Sequence, residues 1–324
     1  MEKHITLGIE CTAHTVGIGI FSAGRLLSNE VRTYSQKFGG MKPSDAADHH
    51  SLVFEELLLE SAEKAGIGLR EISLVGYSKG PGLAPCLRVG RTAAVLISSI
   101  LKIPVIPVHH SVAHIEAGRH FSGLADPLTV YTSGGNTQIL VKEKDRYRVL
   151  GETLDIGLGN AIDTLARAMG LEKAHGGEIE RLAEKGKYIE LPYTVKGMDF
   201  AFTGLTTRAG QLLPSNSRED IAHSFQETAF AMLCEAAERA LMLTRKGEVL
   251  LCGGVAQNRR LQRMLREMCA ENGVKFGVAE DGLNRDNGGM IAYTADYLHG
   301  KYKGKYPDGK IDIDPNYRIE DSPA

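Results

Sequence analysis

The sequence lacks a disulfide framework. Its five cysteines (Cys11, Cys86, Cys234, Cys252, Cys269) are odd in number and scattered, and none forms a CxxC pair. Such usage predicts reduced thiols in a cytoplasmic protein. An excess of one charge is missing too. Lys and Arg total 38 against 40 Asp and Glu, a net charge of −2, so the chain as a whole predicts neither nucleic-acid nor membrane affinity and leaves only a local basic patch open. There is no long hydrophobic run. The apolar stretch from Ala93 to Val108, bordered by Arg91 and broken by Lys102 and two prolines, is too short to span a bilayer. Met1-Glu2-Lys3-His4 runs straight into a strand pattern, which predicts no signal peptide. With 43% hydrophobic and 24% charged residues and dispersed glycine and proline, the composition is that of a folded globular chain. A length of 324 residues favours two domains or lobes.

What is present is organised around His109-His110-Ser111-Val112-Ala113-His114-Ile115-Glu116. It follows the apolar run Ile103–Val108, which reads as a buried strand, and then turns helical. His110 and His114 are four apart, so on a helix their rings share one face. Two imidazoles so placed either bind one metal ion or simply cap a core helix.

Taken in order, the chain opens with a hairpin, Ile5–Glu10 and Val16–Phe21, whose tip is small and polar. Leu26–Tyr34 gives a third strand, and Ser44–Ala65 a long helix with Ser44 or Asp45 as N-cap and Gly66 as stop. Glu71–Tyr77, Leu87–Lys102 and Ile103–Val108 form a βαβ unit. The pattern then restarts. Leu128–Thr132, the turn Ser133-Gly134-Gly135-Asn136 and Thr137–Val141 make a second hairpin, and Tyr147–Thr153 its third strand. Helices follow at 158–170, 178–185 and 218–245. Glu248–Cys252 is a strand, Gly253-Gly254-Val255-Ala256 opens a helix through Ala270, and 284–298 is the last helix. Two halves of like pattern predict a duplicated α/β fold, with a nucleotide's phosphates at the hairpin tips. Residues 1–126 form the first lobe, 127–298 the second, and the tail 299–324 packs back on the first.

Seven segments in this order resemble one family. They are Gly8-Ile9-Glu10-Cys11-Thr12-Ala13-His14-Thr15, His109 to Glu116, Tyr131-Thr132-Ser133-Gly134-Gly135-Asn136-Thr137, Gly159-Asn160-Ala161-Ile162-Asp163, Val195-Lys196-Gly197-Met198-Asp199-Phe200, Gly253-Gly254-Val255-Ala256-Gln257-Asn258, and Asn284-Arg285-Asp286-Asn287-Gly288-Gly289-Met290. Together they resemble the TsaD family in its archaeal and eukaryotic form, the catalytic subunit of the KEOPS complex, a tRNA threonylcarbamoyladenosine synthase. The resemblance implies an actin/Hsp70/sugar-kinase-like (ASKHA) fold of two lobes with a nucleotide cleft. It implies transfer of threonylcarbamoyl from threonylcarbamoyl-AMP to the exocyclic amine of the adenosine beside the tRNA anticodon. It further implies one iron or zinc ion on His110, His114, Tyr131 and Asp286, and nucleotide or substrate contacts at Tyr131, Thr132, Ser133, Gly134, Gly135, Asp163, Gly176, Glu180 and Asn258. ATP could occupy the same site, with magnesium. The implied partners are tRNA, a small kinase/ATPase subunit, a small dimerising subunit and a regulatory subunit; no membrane is implied. One segment departs from the family. In place of its His-Pro-Gly-Gly-Pro run stands Lys173-Ala174-His175-Gly176-Gly177, so both prolines are lost and the loop should be less rigid.

The residue types suit this chemistry. Two imidazoles, a phenol and a carboxylate make an N/O donor set fit for zinc or iron. The Gly134 and Gly135 amides could meet an oxyanion, since glycine lets the backbone approach closely. Ser133 is either a phosphate ligand or a turn residue, and Asp163 either solvated or a ribose ligand. No general base for the weakly basic adenine amine stands out. Three rival functions remain at this stage. An ATP-dependent small-molecule kinase on the same fold has no use for the HxxxH. A zinc peptidase would need a glutamate where Ser111 stands, and Glu116 lies beyond the second histidine. A non-catalytic ATP-binding scaffold would not turn over.

Overall fold

A computed structural model describes residues 4–35, 42–171, 176–304, 306 and 310–324. Strands β1 (Ile5–Glu10), β2 (Thr15–Ser22) and β3 (Arg25–Thr33) lead to α1 (Pro43–Ala65), β4 (Leu74–Gly80), α2 (Ala84–Leu101), β5 (Val105–His109) and α3 (His110–Phe121). Then come β6 (Leu128–Thr132), β7 (Thr137–Glu143), β8 (Arg146–Glu152), α4 (Leu158–Ala168) and α5 (Gly176–Ala183). The chain continues through β9 (Val195–Lys196), β10 (Asp199–Phe200), α6 (Thr203–Leu212), α7 (Arg218–Thr244) and β11 (Glu248–Cys252). It closes with α8 (Arg259–Glu271), β12 (Lys275–Val278), α9 (Asp281–Asn284) and α10 (Gly288–Lys301).

Two compact units emerge. The first is Met1–Ala117, Lys144–Arg146 and Arg285–Ala324; the second is Gly118–Glu143 and Tyr147–Asn284. Each holds a five-stranded sheet, ordered β3-β2-β1-β4-β5 in the first and β12-β11-β6-β7-β8 in the second. In both, an antiparallel hairpin (β1/β2, β6/β7) is extended by parallel strands (β4 and β5; β11 and β12). The duplication expected from the sequence is therefore present strand for strand. The limits differ from the expected lobes: residues 118–126, expected in the first lobe, belong to the second unit, while residues 144–146 and 285–298, expected in the second lobe, sit with the first unit.

In the first unit every residue of β1 is buried, as a strand covered on both faces must be. On one face Gly90 of α2 brings its backbone against Cys11 and Ile9. On the other, α10 approaches so closely that a Cβ on Gly19 would stand 2.2 Å from the Gly289 nitrogen, and one on Gly288 2.1 Å from the Gly19 nitrogen. Only glycine permits that approach. By length and composition α2 could reach across a bilayer. In this unit it buries Cys86, Leu87, Gly90 and Ala94 in the core. The second unit's core is built on α7, with buried Phe225, Phe230, Met232 and Leu233, packed with β6, α4 and α8 residues such as Val130, Leu165 and Leu265.

Some boundaries move for local reasons. The N-cap of α1 is Lys42, with Pro43 at the first helical position, rather than Ser44 or Asp45; proline's fixed φ suits that place. The helix expected from Gly253 instead begins as a 3-10 turn at Gly254–Gln257. There Asn258 turns extended and its side chain accepts the Leu261 N–H, so α8 starts at Arg259. The last helix starts at Gly288, not at 284, because Asn287 caps it by accepting the Met290 N–H. Strands β9, β10 and β12 and helix α6 were not expected. Thr203, Gly204, Thr206, Thr207 and Gly210 are weak helix formers, and α6 is held by tertiary packing of Leu205 and Ala209.

Candidate functional site

In the first unit, β5 runs directly into α3, and His109 makes that junction. Its Nδ1 accepts the Ser111 N–H at 3.1 Å, satisfying an otherwise orphaned donor of the helix start, and its Nε2 donates to the Tyr317 carbonyl at 3.1 Å. Burial pushes its pKa down to about 3, only partly offset by the bond to Tyr317. His109 is thus a neutral structural cap, and the next turn presents His110 and His114, with ring centroids 4.7 Å apart and planes at 87°.

Asp286 reaches the same place from the other end of the chain. The close packing of Gly288 and Gly289 on Gly19 fixes the start of α10. Asn287 ties the turn by donating to the Arg285 carbonyl at 2.6 Å, and the Gly289 N–H donates to Asn29 Oδ1 at 2.9 Å. The Asp286 Oδ1 then lies 3.2 Å from His114 Nε2 and 3.5 Å from His110 Nε2. One ligand atom from each of the three falls within 4.8 Å of the others.

A fourth residue stands behind them. Glu10, fully buried at the end of β1, accepts from His110 Nδ1 at 3.0 Å through Oε2. Its Oε1 accepts the Thr12 N–H at 2.8 Å and the Thr12 hydroxyl at 2.5 Å. The Glu10 motif was noted in the sequence but given no role. The available signal was a lone carboxylate closing a strand of Ile, Thr, Leu and Gly.

The electrostatics follow from this crowding. Burial pulls the His110 pKa down, but the Glu10 and Asp286 carboxylates outweigh it and push it up to about 9. Burial lowers that of His114 despite its bond to Asp286. For Asp286 burial works upward, yet the charge of His110 and the His114 hydrogen bond hold the carboxyl well below the ordinary range. With His110 Nδ1–H given to Glu10, its Nε2 lone pair faces a carboxylate oxygen. Lone pairs converging in this way require a cation, whether a proton or a metal ion, and imidazole nitrogen with carboxylate oxygen suits zinc or iron. The cysteines offer no rival chemistry. All five are free thiols, and burial raises the pKa of each, to about 11 for Cys86 and Cys269 and about 12 for Cys234.

Of the expected metal ligands, the structure brings together His110, His114 and Asp286. Tyr131 lies in the second unit, buried on β6 opposite Cys252. The expected nucleotide residues are all in the second unit. The Ser133 hydroxyl closes the β6–β7 turn, accepting the Asn136 N–H at 3.0 Å; Thr132 Oγ1 donates to the Cys252 carbonyl. The Gly134 carbonyl accepts the Asn160 N–H at 3.0 Å and the Ser133 carbonyl the Gly159 N–H at 3.1 Å, seating the turn on the first turn of α4. Half-buried Asp163 lies further along α4. Gly253, at φ +94°, passes the end of β6 so closely that a Cβ would meet the Thr132 carbonyl oxygen at 2.4 Å, whereas Cβ atoms on Gly135 and Gly254 would meet nothing within 4 Å. Glu180 on α5 accepts the Arg259 N–H at 2.6 Å, and Asn258 accepts that of Leu261 at 3.0 Å, so both cap the start of α8. The Asn258 Nδ2 donates to Gln226. In the departing loop, Lys173, Ala174 and His175 lie outside the described residues; Gly176 opens α5.

Two sheets of one topology, each a hairpin extended by parallel strands, define an α/β fold of the ASKHA type. HypF from T. kodakarensis shares it, with a TM-score of 0.64 and 16% identity over 94% of this chain and 48% of that one. Residues 25–293 match the family described as TsaD, tRNA N6-adenosine threonylcarbamoyltransferase, and the chain belongs to that family of transferases. It is 49% identical over 319 residues to the tRNA N6-adenosine threonylcarbamoyltransferase of Archaeoglobus fulgidus, covering 98% of each chain. It is 48% identical over 322 residues to a probable bifunctional tRNA threonylcarbamoyladenosine biosynthesis protein of Thermoplasma acidophilum, covering 99% of this chain and 61% of that one.

Proposed function

We propose that this chain transfers the threonylcarbamoyl group of threonylcarbamoyl-AMP to the exocyclic amine of the adenosine beside the tRNA anticodon, as the metal-containing subunit of a KEOPS-type cytoplasmic complex. The observation that carries this is the convergence of His110, His114 and Asp286 within a chain that belongs to this family. A small-molecule kinase on the same fold would have no use for such a cluster.

His110, His114 and Asp286 would hold one zinc or iron ion, which when bound supplies Lewis acidity toward an acyl or phosphate oxygen. The remaining work belongs to the chain itself. The Gly134 and Gly135 amides, on a turn pinned to α4, are preorganised donors for negative charge on the donor's carbonyl or phosphate. Gly135 and Gly254 have open space where a side chain would be, which leaves room for a nucleotide against bare backbone. Thr132, Ser133, Asp163, Gly176, Glu180 and Asn258 line the same unit and complete the proposed adenylate contacts, with ATP as an alternative occupant. The leaving AMP needs little acid assistance, and the adenine amine must find its base elsewhere.

The near-balanced charge, 38 against 40, favours shared rather than solitary grip on tRNA. Helices α1 and α2 leave Leu52, Leu59, Leu96 and Ile100 largely exposed, and large apolar side chains in water mark surfaces that associate. The partners implied by the family resemblance are a small kinase/ATPase, a small dimerising and a regulatory subunit. Purified protein, reconstituted with these partners, threonylcarbamoyl-AMP and unmodified tRNA, is expected to yield threonylcarbamoyladenosine in the digested tRNA. Phosphorylation of a sugar or carboxylate from ATP, without that nucleoside, would replace this function with the kinase.

A further inference from the structure

We propose that Glu10 is the positioning residue of the metal centre: its carboxylate holds the His110 proton on Nδ1 and thereby commits the His110 Nε2 lone pair to the ion. The inference rests on the metal site proposed above.

Glu10 is fully buried, and a carboxylate in such a place is costly unless its oxygens are met by donors. Among the described residues three donors reach it and no Lys or Arg pairs with it. Oε1 takes both Thr12 donors, at 2.8 and 2.5 Å, and Oε2 takes His110 Nδ1 at 3.0 Å. The Thr12 N–H is fixed as a donor by the backbone, so Oε1 is anchored and Oε2 is left aimed at the ring. A carboxylate can only accept, so His110 donates from Nδ1, which leaves Nε2, the atom 3.5 Å from Asp286, as the nitrogen whose lone pair meets an ion once its proton is displaced. A ligating imidazole has its tautomer set in this way by the group at its far nitrogen.

The acid, not merely the shape, is required. Glutamine has one accepting oxygen and one donating amide. If its oxygen stays on Thr12, its NH2 faces His110 Nδ1, and the ring must move its proton to Nε2 and lose the ligand lone pair. If it turns over, the NH2 faces the buried Thr12 N–H, and that donor loses its acceptor. Glu10 needs no contact with substrate or ion to act this way; it works through His110.

The test compares wild type, Glu10→Gln and Thr12→Val. Zinc affinity is measured by competition with a chromogenic chelator, and histidine tautomers by 15N–1H correlation spectra. The wild type is expected to bind one zinc with His110 protonated at Nδ1. Glu10→Gln should bind zinc about 10- to 100-fold more weakly, with a thermal midpoint showing that it is folded. Thr12→Val removes a donor from Glu10 but leaves the His110 contact, so it should stay near wild-type affinity. Equal loss in Thr12→Val would make Glu10 a mere tie for the hairpin and overturn the proposal, as would wild-type zinc affinity in Glu10→Gln. Should that variant fail to fold, the zinc-loaded wild type decides alone, because a proton on His110 Nε2 contradicts the proposal. A wild type that takes up neither zinc nor iron overturns the metal centre itself, and this inference with it.

Discussion

At the scale of single residues, the candidate site separates three adjacent or near-adjacent histidines into different tasks. His109 is a neutral helix cap with both ring nitrogens engaged in the backbone. His110 and His114 face Asp286. His110→Ala and His114→Ala are each expected to weaken metal binding by on the order of 100-fold or more, since partners one shell further out already matter 10- to 100-fold. Elemental analysis reads the loss, and an unchanged circular dichroism spectrum shows that the fold remains. His109→Ala should do the reverse, destabilising the first unit by about 1 kcal/mol or more through a lost cap while the remaining protein keeps its metal. The pair at 110 and 114 was legible in the sequence because helical spacing alone puts the two rings on one face. Asp286 was legible only through the family motif. Nothing local to Asn284-Arg285-Asp286 says that α10 will be drawn onto β2 by glycine-to-glycine contact.

At the scale of elements, helix starts carry much of the site, and their caps give separable predictions. Asp155 accepts the N–H groups of Phe202 and Thr203 at 2.9 Å each, from ahead of α6. Burial works to raise its pKa, but these bonds prevail and lower it. A carboxyl depressed in the folded state contributes its stability above the unfolded value, about 4, and loses it as pH falls through the folded one. Asp155→Ala should therefore cost about 1 kcal/mol at pH 7, and the gap in thermal midpoint between variant and wild type should narrow in acid. A gap independent of pH would assign the loss to packing.

Asn258→Ala should weaken ATP or AMP binding and also destabilise the second unit, because Asn258 both caps α8 and holds Gln226. Asp163→Ala, in mid α4, should weaken the nucleotide with the smaller effect on stability; a lost ligand hydrogen bond is worth on the order of 1 kcal/mol. Titration calorimetry and thermal melts together divide the two effects, and unchanged nucleotide affinity in both would place the ligand elsewhere. Most strands and long helices could be read from apolar runs and spacing. The start of α8 could not, since the glycines after β11 read as a helix opening while Gly253 is held at positive φ beneath Thr132. Nor could α6, whose threonines and glycines carry no helical propensity of their own.

At the scale of the whole molecule, the proposed function puts the chemistry on this chain's own residues and shares the tRNA with partner subunits. Leu96→Lys combined with Ile100→Lys changes two exposed side chains. It should leave the melt unchanged within about 0.5 kcal/mol while abolishing co-purification with a partner subunit; retained co-purification would move that surface elsewhere. With no cationic excess, the isolated chain should bind ATP yet modify little tRNA at physiological salt. The most direct measurement is transfer of labelled threonine to unmodified tRNA, with donor adenylate supplied by its synthase, read as threonylcarbamoyladenosine after nuclease digestion. Wild type and His114→Ala are compared with the same partner subunits present. The account predicts repeated turnover by the wild type and a loss of at least about tenfold in the variant. Equal yields from both would contradict a functional metal centre at His110, His114 and Asp286, and no product from the fully reconstituted wild type would contradict the proposed transferase function.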